Sequence, residues 1–533
     1  MSFLETLQTL AHDPEQMEAT YRNALDSGDS EAFKSAVEDA YASNPDSLLL
    51  AAWHFRLAKT VLQAKEHFIA WGWAIPLAVL NGLLFWWLSA DGYQIPMTRF
   101  DGVEYGFMPL VVALGVPIAA LCVIAYLCGV GDRRWPRALV CGLVPFAIAA
   151  YGLLLYQQAG PRPYQEQYLG LFAAHLALLG WAAVGVYLLW DHGDAENRLA
   201  FIKKSIELLV MGGIFGAAGG VFIAITMALF QALDVTVPET IQRLLIAGGA
   251  GLVPVLVAAI AYNPNSAPRE QSLAQGLSKL IGLLLRILLP MTLLVLAIYV
   301  AFIPFNFSAP FQDRDMLVTS NIMLFAVVAL LVGATPVGQE SVSPRLERWL
   351  RRGVIAVAAL ALVVSLYALA AIAYRTAIDR LTPNRLAFIG WNVINIGLLG
   401  LVLWYQRNAG NGRWRQALYR AIRAASLAYV AWALISILVT PWAFGVGQLS
   451  AERLPESVQR IVYDYPAPIL LKCTGSPHVY LLKGGEKRWI EDIEIFSARG
   501  FRWHDVRTID CEDLRSIPSG EPIPADAGTP PQP

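Results

Sequence analysis

The chain is predicted to be an all-α polytopic transmembrane bundle of about eleven spans. A soluble helical module precedes the bundle and a small α/β domain follows it. Three observations carry that reading. Of 533 residues, 56% are hydrophobic and only 15% are charged, with a mean hydropathy of +0.49, whereas soluble domains carry about 25% charged residues. A chain so poor in charge has too little polar surface to cover itself in water, so its bulk must face lipid. The middle of the chain is a series of apolar segments of roughly 20 residues, the length that crosses a bilayer. Basic residues crowd every second connection between those segments. The same composition excludes a disordered chain and a collagen-like repeat. The balance of 40 basic and 41 acidic residues leaves no polycation for nucleic acid.

Residues 1–67 read as a cytoplasmic helical module. The opening Met-Ser-Phe-Leu-Glu-Thr lacks the basic start of a signal peptide. Asp13-Pro14 opens a helix, with Asp13 as N-cap and Pro14 at the first helical position. Gly28-Asp29 closes it and caps the next, and Asn44-Pro45 opens a third whose Leu48, Ala51, Ala52, Phe55 and Leu62 fall near helical spacing. Such a module serves either as a docking platform for a cytoplasmic protein or, more plainly, as a folding cap for the bundle.

Residues 68–445 form the bundle, with spans near 68–90, 107–130, 138–156, 168–190, 206–233, 244–262, 287–304, 316–334, 353–374, 386–405 and 418–440. Residues 263–286 read as an amphipathic helix in the interface. Trp86, Trp87, Trp190, Trp349, Trp404 and Trp442 stand near span ends as interfacial anchors. One set of connections carries Arg56, Lys59 and Lys65; Arg133, Arg134 and Arg137; Arg198, Lys203 and Lys204; Arg269, Lys279 and Arg286; Arg345, Arg348, Arg351 and Arg352; and Arg407, Arg413, Arg415, Arg420 and Arg423. The alternate set carries only Arg99, Arg162, Arg243, Arg314, Arg375, Arg380 and Arg385. The bias places the N-terminus inside and, with eleven spans, the C-terminus outside. Residues 375–385, an outer loop with three arginines, are expected to fold against the bundle.

Residues 446–521 read as an extracytoplasmic α/β domain and 522–533 as a disordered tail rich in Pro and Ala. Two β-rich runs flank Gly484-Gly485, a pair that supplies positive φ at a hairpin turn. Asp492 caps a short helix that Gly500 ends. Cys122, Cys128 and Cys141 lie in or beside spans, which leaves Cys473 and Cys511 as the only pair in the outer domain. Disulfides persist in oxidising surroundings, and a domain this small gains from a staple, so a Cys473–Cys511 bond is expected.

No phosphate loop, His-Glu-x-x-His, Gly-x-Ser-x-Gly or Cys-x-x-Cys occurs. No cofactor is implied. Asp191, His192, Asp194 and Glu196 come nearest to a catalytic cluster and read as a solvated loop. Asn81, His175, Thr226, Asn392 and Asn395 lie at membrane depth, where interhelical hydrogen bonding is the plain reading and a pore or substrate site the sharper one. Gly212, Gly216 and Gly220 repeat every four residues, a spacing that admits a close helix neighbour within the bundle or, less plainly, in a dimer. No Asp, Glu, Lys or Arg falls near the middle of a span, which weakens an ion-coupled carrier.

The run from Arg375 through Arg380-Leu-Thr-Pro-Asn-Arg385-Leu386, with Trp391-Asn392 in the following span, resembles a family of bacterial polytopic membrane proteins, the domain of unknown function 4153. Ala261-Tyr-Asn-Pro264, Leu288-Leu-Pro290 and Pro441-Trp442 with Ser450 and Arg453 fit the same family over roughly residues 200 to 460. The resemblance implies a bacterial plasma-membrane location and no established activity. The tail is similar to short bacterial extracellular repeats, through Val479, Tyr480, Leu481, Gly485, Lys487, Arg488, Trp489, Ile490, Gly500, Phe501 and Trp503. Three function classes follow. The favoured one is a non-enzymatic sensor or scaffold that links the outer module to the inner one, with a cytoplasmic protein and a cell-surface ligand as its partners beside the lipid bilayer. The others are a transporter or channel for a small solute, and a membrane-embedded enzyme acting on a lipid-linked substrate.

Overall fold

The computed structural model describes residues 7, 13–27, 30–65, 69–98, 104–271, 276–308, 311, 314–336, 343–378, 381–409, 413–445, 454–465, 468–524 and 527–528. Gly28, Asp29, Arg99, Arg380, Ser450, Arg453 and the last five residues therefore lie outside the described set. The chain divides into two compact units, Met1–Ala70 and Trp71–Pro533.

The first unit holds α1 (Pro14–Ser27), α2 (Ser30–Ser43) and α3 (Leu48–Lys65). Asp13 Oδ1 accepts from the Glu15 and Gln16 amides, the N-cap that its position suggested. Met17, Phe33, Val37, Ala40, Leu50, Trp53 and Leu57 form its core. Arg56 lies 4.4 Å over the Trp53 ring and pairs with Glu18 at 2.7 Å.

The second unit begins with α4 (Trp71–Leu88), a β1–β2 hairpin (Gln94–Thr98 and Glu104–Pro109), α5 (Leu110–Val130), α6 (Trp135–Leu155) and α7 (Arg162–Leu189). It continues with α8 (Ala195–Ala232), α9 (Glu239–Ala261), α10 (Gly276–Phe302), α11 (Arg314–Ala334), α12 (Pro344–Ile378), α13 (Pro383–Asn408) and α14 (Trp414–Phe444). Ten of these are long and apolar enough to cross a membrane, and α11 contributes the shorter apolar stretch Thr319–Ala334. Helices of this number, length and composition are compatible with a multi-pass membrane protein. Its connections gather into two sets. Asp191 meets Arg134 and Arg137, Asn197 meets Arg269, Tyr419 meets Pro336, and Arg351 meets Ala409 at one end. At the other, Tyr156 meets Pro96, Tyr164 meets Leu381, and Asn384 meets Gln167.

Two expectations are corrected, and one connection holds an element of its own. The connection after the first span carries the β1–β2 hairpin: its strands bury Ile95 and Met97 on one face, over a core with Tyr168, Phe172 and Ile437, and a bulge absorbs Pro96. Residues 263–286 are not one separate interfacial helix. Pro268–Glu270 form a 3-10 turn, 272–275 lie outside the described residues, and 276–286 are the first turns of α10, where Arg286 Nε donates to the Ala334 carbonyl. The glycine stripe of α8 packs against almost nothing: a Cβ would find open space at Gly216 and Gly220, and only Val253 at 3.7 Å at Gly212. From Leu209 onward most of the large apolar side chains of this helix are exposed, Leu209, Ile214, Val221, Phe222, Ile225 and Leu229 among them. The close approach occurs between α4 and α9 instead, where a Cβ on Gly251 would meet Gly82 Cα at 2.8 Å. A π turn at Leu244–Gly248 brings α9 onto α4 there.

The C-terminal part holds α15 (Glu456–Asp464), β3 (Ile469–Cys473), β4 (Val479–Lys483), β5 (Glu486–Ile490), α16 (Ile493–Ala498), β6 (Val506–Ile509) and α17 (Cys511–Ser516). The sheet order is β5-β4-β3-β6, with only β3 and β6 parallel. Gly484 and Gly485 take φ +64 and +82 at the β4–β5 turn. Asp492 caps α16 through the Ile495 amide. Order runs past 521, which corrects the start of the disordered tail: Ile523 is buried, donates to Trp489 O at 2.8 Å and accepts from the Glu491 amide.

Candidate functional site

Three polar regions stand out. The first lies inside the bundle. Asn392 and Asn395, three residues apart on α13, are both wholly buried. Asn392 Nδ2 donates to Asn321 Oδ1 of α11 at 2.6 Å and to the Phe388 carbonyl. Tyr429 of α14 donates to Asn395 Oδ1 at 2.5 Å. His175 of α7 bonds through Nδ1 to the Leu171 carbonyl, so that nitrogen carries the proton. Its ring stacks on Trp391, which packs in turn on Tyr429. Four helices are thus tied by amides and rings at one level within the bundle, the interhelical bonding that polar groups among apolar helices form. Asn392 Oδ1, Asn395 Nδ2 and His175 Nε2 stay without partners. Asn81 donates to the Gly251 carbonyl at 2.6 Å, beside the tight α4–α9 contact. Thr226 bonds back to Phe222 on its own helix.

The second region lies at the arginine-rich end. Asp191 receives Arg137 at 2.7 Å and also Arg134. These guanidiniums, Arg137 first, hold the Asp191 carboxyl below the usual carboxylate range. Asp194 caps α8 through the Glu196 and Asn197 amides. Asp191, Asp194 and Glu196 therefore serve a latch and a helix start. Among the described residues, no group of three or more His, Cys, Asp and Glu is placed to share a metal ion. Because the cap sits at Asp194, α8 begins eleven residues before the expected span. Lys203, Lys204 and Glu207, the lysines of which read as loop charges, are buried in it. Lys204 Nζ pairs with Glu207 at 2.8 Å and Lys203 Nζ donates to Thr335 O.

The third region joins the C-terminal part to the bundle. Arg162, the first residue of α7, donates to Asp464 of α15 and to Glu166, both at 3.0 Å. Beside this joint is a cleft of about 340 Å3 between Tyr164, Gln167 and Thr382 of the bundle and Tyr465, Arg502, His504, Asp505 and Arg507 of the sheet domain. Arg507 stacks 3.9 Å over the Tyr465 ring. His504 Nε2 lies 3.2 Å from Asp505. The three basic residues fall within six positions, a density that was visible in the sequence. The Tyr164 and Thr382 wall that makes a cleft of them was not.

Cys473 and Cys511 are bonded, with Cα atoms 4.8 Å apart. Lys487, in the Lys-Arg-Trp-Ile stretch, is buried, and its Nζ donates to the Leu514 and Arg515 carbonyls at the end of α17. Burial, with Arg515 nearby, lowers its ammonium pKa.

Comparison with protein-family models, with curated proteins and with solved structures finds no match to this chain. The fold and its polar sites define it as an apolar helical bundle, compatible with multiple membrane passes, that carries a docked, disulfide-bonded α/β domain.

Proposed function

We propose that the protein is a membrane scaffold that couples an extracytoplasmic module to cytoplasmic elements, in a bacterial plasma membrane with its N-terminus inside. Helix α7 carries this reading. Its first residue, Arg162, holds Asp464 of the module. Two residues past its other end, Asp191 holds Arg134 and Arg137. A helix of 28 residues is a rod of about 42 Å, so a shift of the module passes to the arginine latch with no other moving part. The basic loops gather at the latch end, where the positive-inside rule puts the cytoplasm. The disulfide sits at the opposite end, where an oxidising compartment suits it. The interhelical hydrogen bonds of Asn392, Asn395 and Tyr429 favour a packed scaffold over a solute path, and Asp191 and Asp194 are engaged as latch and helix cap. The likeness of Leu381-Thr-Pro-Asn-Arg385 to the bacterial family is part of the proposal: in this chain Thr382 caps α13 and the Asn384 amide meets Gln167 of α7.

The test is hydrogen exchange on the full chain in lipid nanodiscs. Asp464→Asn removes the ion pair at the module. Faster exchange at residues 131–137 and 190–194 is expected. Unchanged exchange there, with the module's own protection intact, would overturn the coupling. Thiol-reactive probes that do not cross membranes should reach a cysteine at Thr508 in whole cells and one at Glu38 only after permeabilisation. The reverse pattern would overturn the orientation.

A further inference from the structure

We infer that the cleft between the bundle and the sheet domain binds a phosphate ester. This deepens the scaffold reading by naming what the module reads, and binding is measured independently of coupling. The argument starts at Arg507. Its side chain is half-buried and has no ion pair or hydrogen bond among the described residues, and Nε is buried without a partner. A buried donor left unpaired is unfavourable, yet the Tyr465 ring holds this guanidinium in place, 3.9 Å above its face. A planar cation fixed by stacking, with its donors unspent, is preorganised for a planar or tetrahedral oxyanion.

The rest of the cleft agrees in charge. Arg502 is a second guanidinium on the same wall, where it pairs with Asp505, its Nε 3.9 Å from that carboxylate. His504 shares that carboxylate. Among the described residues that line the cleft Asp505 is the only acid, so two guanidiniums and an imidazole face one carboxylate. The opposite wall, from Tyr164 and Thr382, is neutral. The volume of about 340 Å3 exceeds what an inorganic anion fills and lies in the range of small-molecule sites. It suits a phosphate with a glycerol- or sugar-sized body. The mouth lies at the first turn of α7, the level at which a span meets the lipid headgroups, so the ester has two sources: a phospholipid headgroup or a soluble sugar or glycerol phosphate.

Binding is measured with the full chain in zwitterionic nanodiscs, by titrating glycerol 1-phosphate, and by native mass spectrometry of discs doped with phosphatidylglycerol. Saturable binding of either probe is expected. Binding of the soluble ester assigns a solute, and retention of the doped lipid alone assigns a headgroup. Arg507→Gln should weaken binding roughly tenfold or more, Arg507→Lys less, and Arg499→Gln, outside the cleft, should leave it unchanged. If Arg507→Gln does not fold, Arg502→Gln is read in its place. Binding of neither probe, equal affinity of the Arg507 or Arg502 variants and the parent, or tighter binding of glucuronate than of the phosphate would overturn the inference. Unchanged exchange at residues 131–137 and 190–194 in the Asp464→Asn experiment, with phosphate binding intact, would overturn only the scaffold reading.

Discussion

Opening the Cys473–Cys511 bond should loosen the sheet domain while the helical bundle holds. The bond closes a segment of 38 residues that contains β4, β5, α16 and β6. In the chain-entropy model a loop of that length restricts the unfolded domain by about 4 kcal/mol. Since every 1.4 kcal/mol is about tenfold, the opening equilibrium should shift by up to roughly a thousandfold. The paired cysteines join the end of β3 to the start of α17. Parallel pairing of β3 with β6 already brings those points together, so the domain should stay folded but open more often. Replacing both with alanine avoids a stray thiol. Hydrogen exchange of residues 469–473 and 506–509 in the full chain, compared between the parent and the double variant, reads the opening free energy. A difference below about 1 kcal/mol would show that the sheet, not the cross-link, sets the stability. Full alkylation of both cysteines in unreduced protein would refute the bond itself.

Gly251→Ala should destabilise the bundle by about 1–3 kcal/mol, because its Cβ would stand 2.8 Å from Gly82 Cα; Gly216→Ala, which meets open space, should leave thermal unfolding in detergent unchanged. Lys487→Met should cost the sheet domain about 1–3 kcal/mol by orphaning the Leu514 and Arg515 carbonyls, read by denaturant unfolding. Because burial depresses the Lys487 pKa, the folded state binds that proton less readily than the unfolded one. The penalty is full below the depressed value and fades as pH rises toward the ordinary lysine range, so parent stability relative to Lys487→Met should climb over that alkaline window. The Asp191 carboxyl is held low by Arg137 and Arg134. Its contribution is therefore present above the usual carboxylate range and lost as pH falls through the depressed value; exchange at residues 131–137 should quicken there, and Asp191→Asn should show that quickened exchange at neutral pH.

Where a property is local, the sequence revealed it. Span positions follow from apolar length, the Gly484-Gly485 turn from its need for positive φ, and the Asp13 and Asp492 caps from their side-chain chemistry. The cysteine pair was legible because only two cysteines fall beyond the bundle. What depends on which helix meets which was not. A four-residue glycine repeat says that close approach is allowed, not that a neighbour comes; Gly216 and Gly220 look outward while Gly82 and Gly251, outside any four-residue glycine repeat, make the contact. Lys203 and Lys204 read as loop charges because hydropathy finds the apolar stretch and misses the polar first turns of the same helix. The Asp194 cap with Glu196 was the available signal. Proline in β1 concealed the hairpin, and the cleft needs walls from Tyr164 and Arg507, far apart in the chain.

The outer edge of β5 has a consequence for how the sheet domain meets other molecules. Ser519 bridges to Lys487 and Ile523 to Ile490, so returning chain occupies the hydrogen-bonding margin of that strand. The far margin, β6, is four residues long and lies against α15. A partner that recognises by adding its own strand finds one border taken and the other brief. Strand addition by its own copies or by extended peptides is disfavoured at both borders, which shifts recognition toward side chains.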